Sequence, residues 1–244
     1  IVYGYSPTSR PDLAELVSMA RARNIPVLVD AAGELPPRSN LKSIPASGAD
    51  LVAFSGGKSI RGPQSTGILC GRKDLIASAV LQLLDMDDHP ELWSPPADFI
   101  PREKLNGMPR HGFCRSMKVA KEQIVALLTA LDLFTSGAYL SLVPKYREQL
   151  QRVAEKLSAA PVKCQLIEKG DGESPPYLEI LLDETRLGRT AFDVCRRLRN
   201  GSPPVYVGHG KLPQKTLVIM ATCVRDEQWE PMMLRLSQEL TPAT

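Results

Sequence analysis

The chain has 244 residues, of which 43% are apolar and 23% are charged, and 30 basic against 27 acidic side chains give a net charge of +3. These values are ordinary for a folded globular protein and exclude disordered, collagen-like and low-complexity classes. A charge this close to neutral does not by itself predict nucleic-acid binding. No apolar run approaches the roughly 18 residues of a membrane-spanning helix, so we expect no membrane span.

The cysteines and histidines predict a reduced protein without a bound metal. The five cysteines are odd in number, are widely spaced and contain no C-x-x-C pair, so neither a zinc ribbon nor a disulfide framework is expected. The three histidines are far apart, and the Asp85–His89 cluster is interpreted as a solvated loop. The chain begins Ile-Val-Tyr and does not show the pattern of a signal peptide. The cysteine pattern favours a reduced, cytoplasmic protein.

The pattern of the first half predicts an α/β fold. Residues 9–24 carry a helical apolar stripe, with Ser9 and Asp12 as an expected N-terminal cap. Short, continuously apolar runs are typical of a buried, mostly parallel sheet. These runs lie at residues 26–30, 50–54 and 67–70. Residues 85–113, rich in proline and charge, predict a long loop that either lines a functional site or is a surface excursion.

The second half predicts two helices followed by a smaller α+β domain. The first helix is expected at about 116–135 and the second at about 144–158. The expected apolar face of the first consists of Ala120, Ile124, Leu127, Leu128 and Leu131. Strands are expected at 162–167, 177–182, 205–207 and 216–220, and helices at 190–199 and 226–240. An interruption near 137–143 predicts a large domain at 1–138 and a small domain at 139–244.

A glycine-containing turn with one lysine, Ser55-Gly-Gly-Lys58-Ser59, follows the second apolar run. Gly57-Lys58-Ser59 imitates the end of a P-loop, but Val52 stands where that motif requires its first glycine. A G-x-G-x-x-G dinucleotide fingerprint is also absent from this segment. We therefore do not expect a nucleoside triphosphatase or a nicotinamide enzyme.

The remaining chemistry for Lys58 is that of a Schiff-base lysine. A lysine amine becomes nucleophilic towards carbonyl compounds when desolvation or a nearby cation favours its neutral form. Ser55 could bind a phosphate together with exposed turn amides. Asp30 ends the preceding apolar strand, and pyridoxal phosphate needs an acid beside its pyridine nitrogen. Taken singly, Lys58 is better explained as a surface lysine in a tight turn, and Asp30 as a capping or turn aspartate. The carboxyl ends of parallel strands meet at one edge, so together they favour a cofactor site.

Four segments carry a resemblance to a known family. They are Val29–Pro37 (VDAAGELPP), Phe54–Lys58 (FSGGK) with Gly62-Pro63-Gln64, Arg115–Glu122 (RSMKVAKE) and Pro203–Val207 (PPVYV). The chain resembles the fold-type-I pyridoxal-phosphate enzymes, in the group of bacterial selenocysteine synthase and D-glucosaminate-6-phosphate ammonia-lyase, which are similar to class V aminotransferases. The first two segments, with their spacing, are the most specific part of this resemblance.

The resemblance implies a cofactor, pyridoxal 5'-phosphate, and a set of residues that hold it. Lys58 would form the Schiff base, Asp30 would pair with the pyridine nitrogen, Ser55 would contact the phosphate, and Ala32 would belong to the same cofactor site. Family members form dimers or higher homo-oligomers. Their chains are longer and their large domain begins earlier, so this chain is expected to lack an N-terminal part of that domain.

The reaction implied by the resemblance is a β-elimination, with three alternatives for the chain as a whole. The first is a lyase that removes water and ammonia from a small hydroxylated amino acid or amino sugar acid. The segment Ser59-Ile-Arg61-Gly62 resembles that branch, and Arg61, Gln64, Arg115 and His209 are candidate substrate contacts. The second is a selenium transferase, but holding a tRNA calls for a basic surface, so this alternative is not favoured. The third is an inactive, truncated interaction protein.

Overall fold

The computed structural model describes residues 1–84, 86–87, 89–107 and 110–242, which divide into two compact units, Ile1–Ala138 and Tyr139–Thr244. The strands of the first unit are β1 (Val2–Gly4), β2 (Leu28–Asp30), β3 (Leu51–Ser55) and β4 (Gly67–Gly71), and its helices are α1 (Leu13–Arg21), α2 (Asn40–Ala46), α3 (Lys73–Leu83) and α4 (Lys121–Thr135). The second unit contains α5 (Val143–Lys156), β5 (Val162–Ile167), β6 (Tyr177–Leu182), α6 (Glu184–Leu187), α7 (Ala191–Asn200), β7 (Thr216–Met220) and α8 (Trp229–Glu239).

The first unit is built on a four-stranded sheet in the order β1-β2-β3-β4. The first three strands are parallel, and β4 runs antiparallel to β3. This mostly parallel sheet confirms the predicted α/β fold class. The register places Asp30 beside Gly4 on one side and beside Ala53 on the other, so the carboxyl ends of β1, β2 and β3 lie at the same edge.

The two faces of this sheet differ in burial. Val29 and Val52 are 0% exposed and Phe54 is buried with them on one face, whereas the alternate residues of β3 are only half-buried. Helices α1 and α2 connect successive parallel strands, and right-handed crossovers place both on the same face. Because α1 buries an apolar stripe and α2 buries Ile44, we assign both helices to the Val29–Val52 face, so Asp30, exposed and out of phase with Val29, lies on the other face.

Two boundaries in this unit differ from those expected. Helix α1 begins at Leu13 rather than near residue 9, because Asp12, and not Ser9, caps it with a 2.9 Å hydrogen bond from the Glu15 amide. Helix α4 begins at Lys121 rather than near 116, because Arg115–Met117 forms a separate 3₁₀ turn that ends before the helix.

The expected apolar face of α4 was partly wrong. Ile124 and Leu128 are 47% and 59% exposed, and the fully buried residues of this helix are Ala130 and Phe134. Several apolar side chains of this helix therefore remain exposed in the described part of the chain. Periodicity alone therefore identified the helix but not the surface that packs.

The second unit contains a three-stranded antiparallel sheet in the order β5-β6-β7. Its core lies between this sheet and helices α5, α7 and α8. The strands expected at 162–167, 177–182 and 216–220 are present. The strand expected at 205–207 was wrong, since the nearby pairing is an isolated bridge between Gly208 and Val218. Helix α8 begins at Trp229 because Asp226–Gln228 forms a 3₁₀ turn before it.

The long loop expected at 85–113 contains no α-helix and no strand among its described residues, and Arg102–Lys104 forms a 3₁₀ turn. Asp85 and Asp88 of the acidic cluster lie outside the described residues. Across the part of the chain that is described, no group of three or more His, Cys, Asp or Glu residues could hold a metal ion. In the same part no single helix is long and apolar enough to cross a membrane, although Lys121–Thr135 and Ala138–Lys156 together meet that criterion by length and composition.

Candidate cofactor site

The lysine turn connects β3 to β4 and presents Lys58 to solvent. Two backbone hydrogen bonds close it at its base, from the Gly56 amide to the Thr66 carbonyl at 3.0 Å and from the Gly62 amide to the Gly56 carbonyl at 2.8 Å. A third, from the Arg61 amide to the Lys58 carbonyl at 2.9 Å, forms the tip. Lys58 is therefore an exposed side chain on a closed, hydrogen-bonded loop.

Glycine is required inside this turn because two stretches of backbone pass each other closely. A Cβ atom on Gly57 would lie 2.5 Å from the Gln64 Cα and 2.8 Å from the Gln64 carbonyl oxygen. Ile60 is 0% exposed, so its buried side chain anchors the turn. Arg61 follows with a left-handed φ of 65°, a conformation that non-glycine residues adopt rarely and often at functional sites.

Asp30 reaches the same edge of the sheet from the neighbouring strand. Its Oδ1 accepts a 3.0 Å hydrogen bond from the Ala32 amide, which fixes the carboxylate at the end of β2. The Ala31 amide continues the ladder to the Ala53 carbonyl at 2.9 Å. Because side chains alternate along a strand, Asp30, its register partner Ala53 and Ser55 share one face of the sheet.

Asp30, Ser55 and Lys58 have almost no protein partners. In the described part of the chain, the hydrogen bond from the Ala32 amide is the only one made to any of these three side chains. A carboxylate, a hydroxyl and an amine are the groups that pyridoxal phosphate uses at its ring nitrogen, phosphate and aldehyde. The residues present therefore fit that cofactor.

The candidate substrate residues lie in three places. Arg61 and Gln64 are exposed on the lysine turn itself. Arg115 is exposed in the 3₁₀ turn that precedes α4, in the same unit. His209 belongs to the second unit, where its Nδ1 lies 3.2 Å from the Arg199 Nη2. The structure thus places Arg61 and Gln64 at the lysine turn, and the roles of all four residues stay predictions.

Helix α4 braces the lysine turn, which the sequence did not indicate. Gln123 donates from Nε2 to the Ser65 hydroxyl at 2.9 Å. Leu127 occupies the space beside Gly56 and Gly62, since a Cβ on either glycine would come within 3.0 Å of its Cδ1. In the sequence, the only features related to this contact are Gly56 and Gly62 in the turn and Leu127 in a distant helix, and nothing in the sequence pattern connects them.

Comparison with known proteins shows which families this chain is similar to. The sequence model for aminotransferase class V matches residues 8–88, a range that contains both Asp30 and Lys58. The solved structure of D-glucosaminate-6-phosphate ammonia-lyase has the same fold, with a TM-score of 0.69 and 25% identity over 98% of this chain and 56% of that one. The chain has the fold of the fold-type-I pyridoxal-phosphate enzymes and is similar to them in sequence. These comparisons confirm the resemblance, the fold type and the cofactor that the Val29–Pro37 and Phe54–Lys58 segments predicted.

Curated relatives within this family have different activities. A 5'-C-glycyluridine monooxygenase-decarboxylase from a Streptomyces species is 28% identical over 93% of this chain and 49% of its own length. The D-glucosaminate-6-phosphate ammonia lyase of Salmonella typhimurium is 28% identical over 92% of this chain and 51% of its own. An L-seryl-tRNA(Sec) selenium transferase of Geotalea uraniireducens is 30% identical over 81% and 43%. The chain spans about half the length of the curated relatives it matches.

Proposed function

We propose that this fold-type-I chain carries the lysine-bearing part of a pyridoxal-phosphate-dependent lyase. The substrate would be a small hydroxylated amino acid or amino sugar acid, which loses water and then ammonia. The observation that carries the proposal is the placement of Asp30 and the Lys58 turn after neighbouring parallel strands, at one edge of the sheet. Ligands bind at that edge in open α/β sheets.

Three residues would hold the cofactor. The Asp30 carboxylate would accept a hydrogen bond from the protonated pyridine nitrogen, the Ser55 hydroxyl would bind the phosphate, and Ala32 would keep Asp30 oriented through its amide. Bound pyridoxal phosphate supplies an aldehyde that links covalently to amines and a protonated ring that draws electrons from the substrate Cα. Lys58 supplies the amine on the protein side.

Lys58 also performs the proton transfers of the proposed elimination. Its Nζ takes the proton from the substrate Cα as a general base, and the electron pair of that bond forms the Cα–Cβ double bond. The Cβ–O bond breaks, and the protonated lysine returns its proton to the departing hydroxyl, which leaves as water. The released enamine then hydrolyses in water to a keto acid and ammonia.

The lyase is favoured over the other activities of the family by two observations. The ammonia-lyase fold covers 98% of this chain at a TM-score of 0.69, and the segment Ser59-Ile-Arg61-Gly62 after the lysine resembles that branch. Arg61 and Gln64, on the lysine turn, and Arg115 would contact an acidic or phosphorylated substrate. We further propose a homo-oligomer in the cytoplasm, where the thiols of all five cysteines, none of which is paired, would stay reduced.

The first test replaces Lys58 by alanine. The wild-type chain mixed with pyridoxal phosphate is expected to develop an absorbance band at about 410–430 nm that borohydride removes, as for lysine-linked cofactors. Mass spectrometry after reduction should place the added cofactor mass on Lys58. In Lys58→Ala both signals should vanish, whereas Lys42→Ala, which removes another exposed lysine of the same unit, should retain both.

The reaction is tested with the same preparations. Wild-type protein with hydroxylated amino acids and phosphorylated amino sugar acids should release keto acid and ammonia in equal amounts, and Lys58→Ala should release neither. Release of carbon dioxide without ammonia would instead assign a decarboxylation to this site and would overturn the proposed elimination of water and ammonia. A cofactor mass on a lysine other than Lys58 would overturn the site.

A second prediction concerns Asp30. Asp30→Asn should weaken pyridoxal-phosphate binding by about 10- to 100-fold, because a hydrogen bond to a charged group contributes roughly 1.5–3 kcal/mol. Absorbance titration with the cofactor measures the dissociation constant. Asp132→Asn serves as the control and should bind as wild type does, because Asp132 is an exposed carboxylate on α4 that forms no ion pair with any described residue. Equal affinities for the two variants would contradict the assignment of Asp30.

A further inference from the structure

We propose that Ser59 is a positioning residue that fixes Lys58 relative to Asp30. The Ser59 hydroxyl donates a 2.6 Å hydrogen bond to the carbonyl of Leu35, which belongs to the loop that follows Asp30. This bond ties the lysine turn directly to the aspartate loop. The inference rests on the proposed function, since it assigns Ser59 a role in that same cofactor site.

The aspartate side of this connection is held by its own hydrogen bonds. The Ala32 amide donates to Asp30, and the Glu34 amide donates to the Ala31 carbonyl at 3.1 Å. Asn40 donates from Nδ2 to the Glu34 carbonyl at 2.7 Å, and Leu35 is buried. The Leu35 carbonyl is therefore a fixed point, one short hydrogen-bonded loop away from the Asp30 carboxylate.

The lysine side is equally constrained. Ser59 follows Lys58 directly, and the buried Ile60 and the bond between the Arg61 amide and the Lys58 carbonyl leave this tip little freedom. The other backbone bonds of the turn, which close its base, join it to itself and to the start of β4 rather than to the strand that ends at Asp30. The Ser59 hydroxyl is thus a direct side-chain link from the tip to the aspartate loop.

This link matters because one cofactor must meet both groups at once. Pyridoxal phosphate is rigid, so its ring nitrogen and its aldehyde reach Asp30 and Lys58 together only when the spacing of the two loops is maintained. Catalytic constellations tolerate displacements of only about 0.5 Å before function is lost. Without the hydroxyl, the turn would keep its fold but would sample positions in which one contact is broken.

The test compares Ser59→Ala with a matched control, Ser47→Ala. Ser47 donates a hydrogen bond of the same length, 2.6 Å, to the Ile44 carbonyl and is also half-buried, but it lies at the end of α2. For each protein three quantities are measured: the melting temperature without cofactor, the dissociation constant for pyridoxal phosphate, and the pH midpoint of the lysine-linked absorbance band. The last two report the relative position of Asp30 and Lys58, whereas the first reports folding.

Ser59→Ala is expected to weaken cofactor binding by about 10-fold and to shift the pH midpoint, while Ser59→Thr, which keeps the hydroxyl, restores both. Ser47→Ala should lower the melting temperature to a similar extent and leave affinity and midpoint as in wild type. Ser59→Cys keeps a side chain of similar size but has only a weak hydrogen-bond donor, so it should show the same loss of affinity and the same shift of midpoint as Ser59→Ala. If the alanine variant does not fold, the cysteine variant provides the test of the positioning role.

Equal affinity and equal pH midpoint in wild type, Ser59→Ala and Ser59→Cys would overturn the positioning role and leave the proposed function standing. Absence of the absorbance band in the wild-type chain would overturn the proposed function and the role of Ser59 with it. The two failures are therefore distinguishable from one set of titrations.

Discussion

Gly57→Ala is expected to open the lysine turn and to lower the free energy of unfolding by about 3 kcal/mol, at the upper end of the cost of overpacking. The added methyl would lie 2.5 Å from the Gln64 Cα, and the neighbour is backbone, so no side-chain rotation relieves the clash. The two passing strands of the turn must separate. The bond between the Gly56 amide and the Thr66 carbonyl should be lost, and with it the placement of Lys58.

Urea denaturation measures this loss, and hydrogen exchange locates it. The amides of residues 56–66 should lose protection in Gly57→Ala, whereas the amides of the second unit should exchange at the wild-type rate. Gly210→Ala provides the control, because a Cβ there has open space and the substitution should change the unfolding free energy by less than about 0.5 kcal/mol. Retained protection of the turn in Gly57→Ala would contradict the close backbone approach.

The parts of the site that the sequence predicted are those fixed by local pattern. Asp30 and Lys58 follow apolar runs that form β2 and β3, and neighbouring parallel strands necessarily end at one edge. Ser55 was assigned from its distance to the lysine, and the register places it on the face of Asp30. These inferences needed only the period of a strand and the direction of a parallel sheet.

The parts that were missed depend on contacts between distant segments. The hydrogen bond from Ser59 to Leu35 and the one from Gln123 to Ser65 join loops whose approach no local pattern encodes. Strand β1 and helix α2 were not expected, because β1 has three residues and α2 has a proline within seven. Short elements contribute little periodicity, so neighbouring strands and helices determine whether they form.

The second large effect is expected in the C-terminal unit, at Glu239. This carboxylate is 8% exposed and binds three arginines. Arg235 donates from Nη2 to Oε1 at 3.0 Å, Arg197 donates from Nε to Oε2 at 2.5 Å, and the Arg189 Nη1 lies 3.8 Å from Oε2. The cluster joins α8 to α7 and to the segment before α7.

Glu239→Gln should lower the free energy of unfolding by about 3 kcal/mol, because removing one partner of a buried ion pair leaves the other charge uncompensated. The most buried partner is Arg235, which is 9% exposed, whereas Arg197 is more than half exposed. Urea denaturation of the variant measures the loss. Glu230→Gln on the same helix, which breaks an exposed pair with Arg152, should change it by no more than about 1 kcal/mol.

The pH dependence of the unfolding free energy distinguishes the effect of the Glu239 charge from the effect of its side-chain packing. Burial by itself raises the pKa of Glu239, but hydrogen bonds from Arg197 and Arg235 outweigh it and hold the pKa below its ordinary value. A carboxyl whose pKa is lower in the folded state stabilises the protein above the unfolded pKa of about 4.3 and loses that contribution as the pH falls through the folded value. The difference in unfolding free energy between wild type and Glu239→Gln should therefore be full at pH 7 and shrink below pH ~4. A difference that stays constant down to pH ~3 would show that the glutamine changes packing rather than removing a stabilising charge.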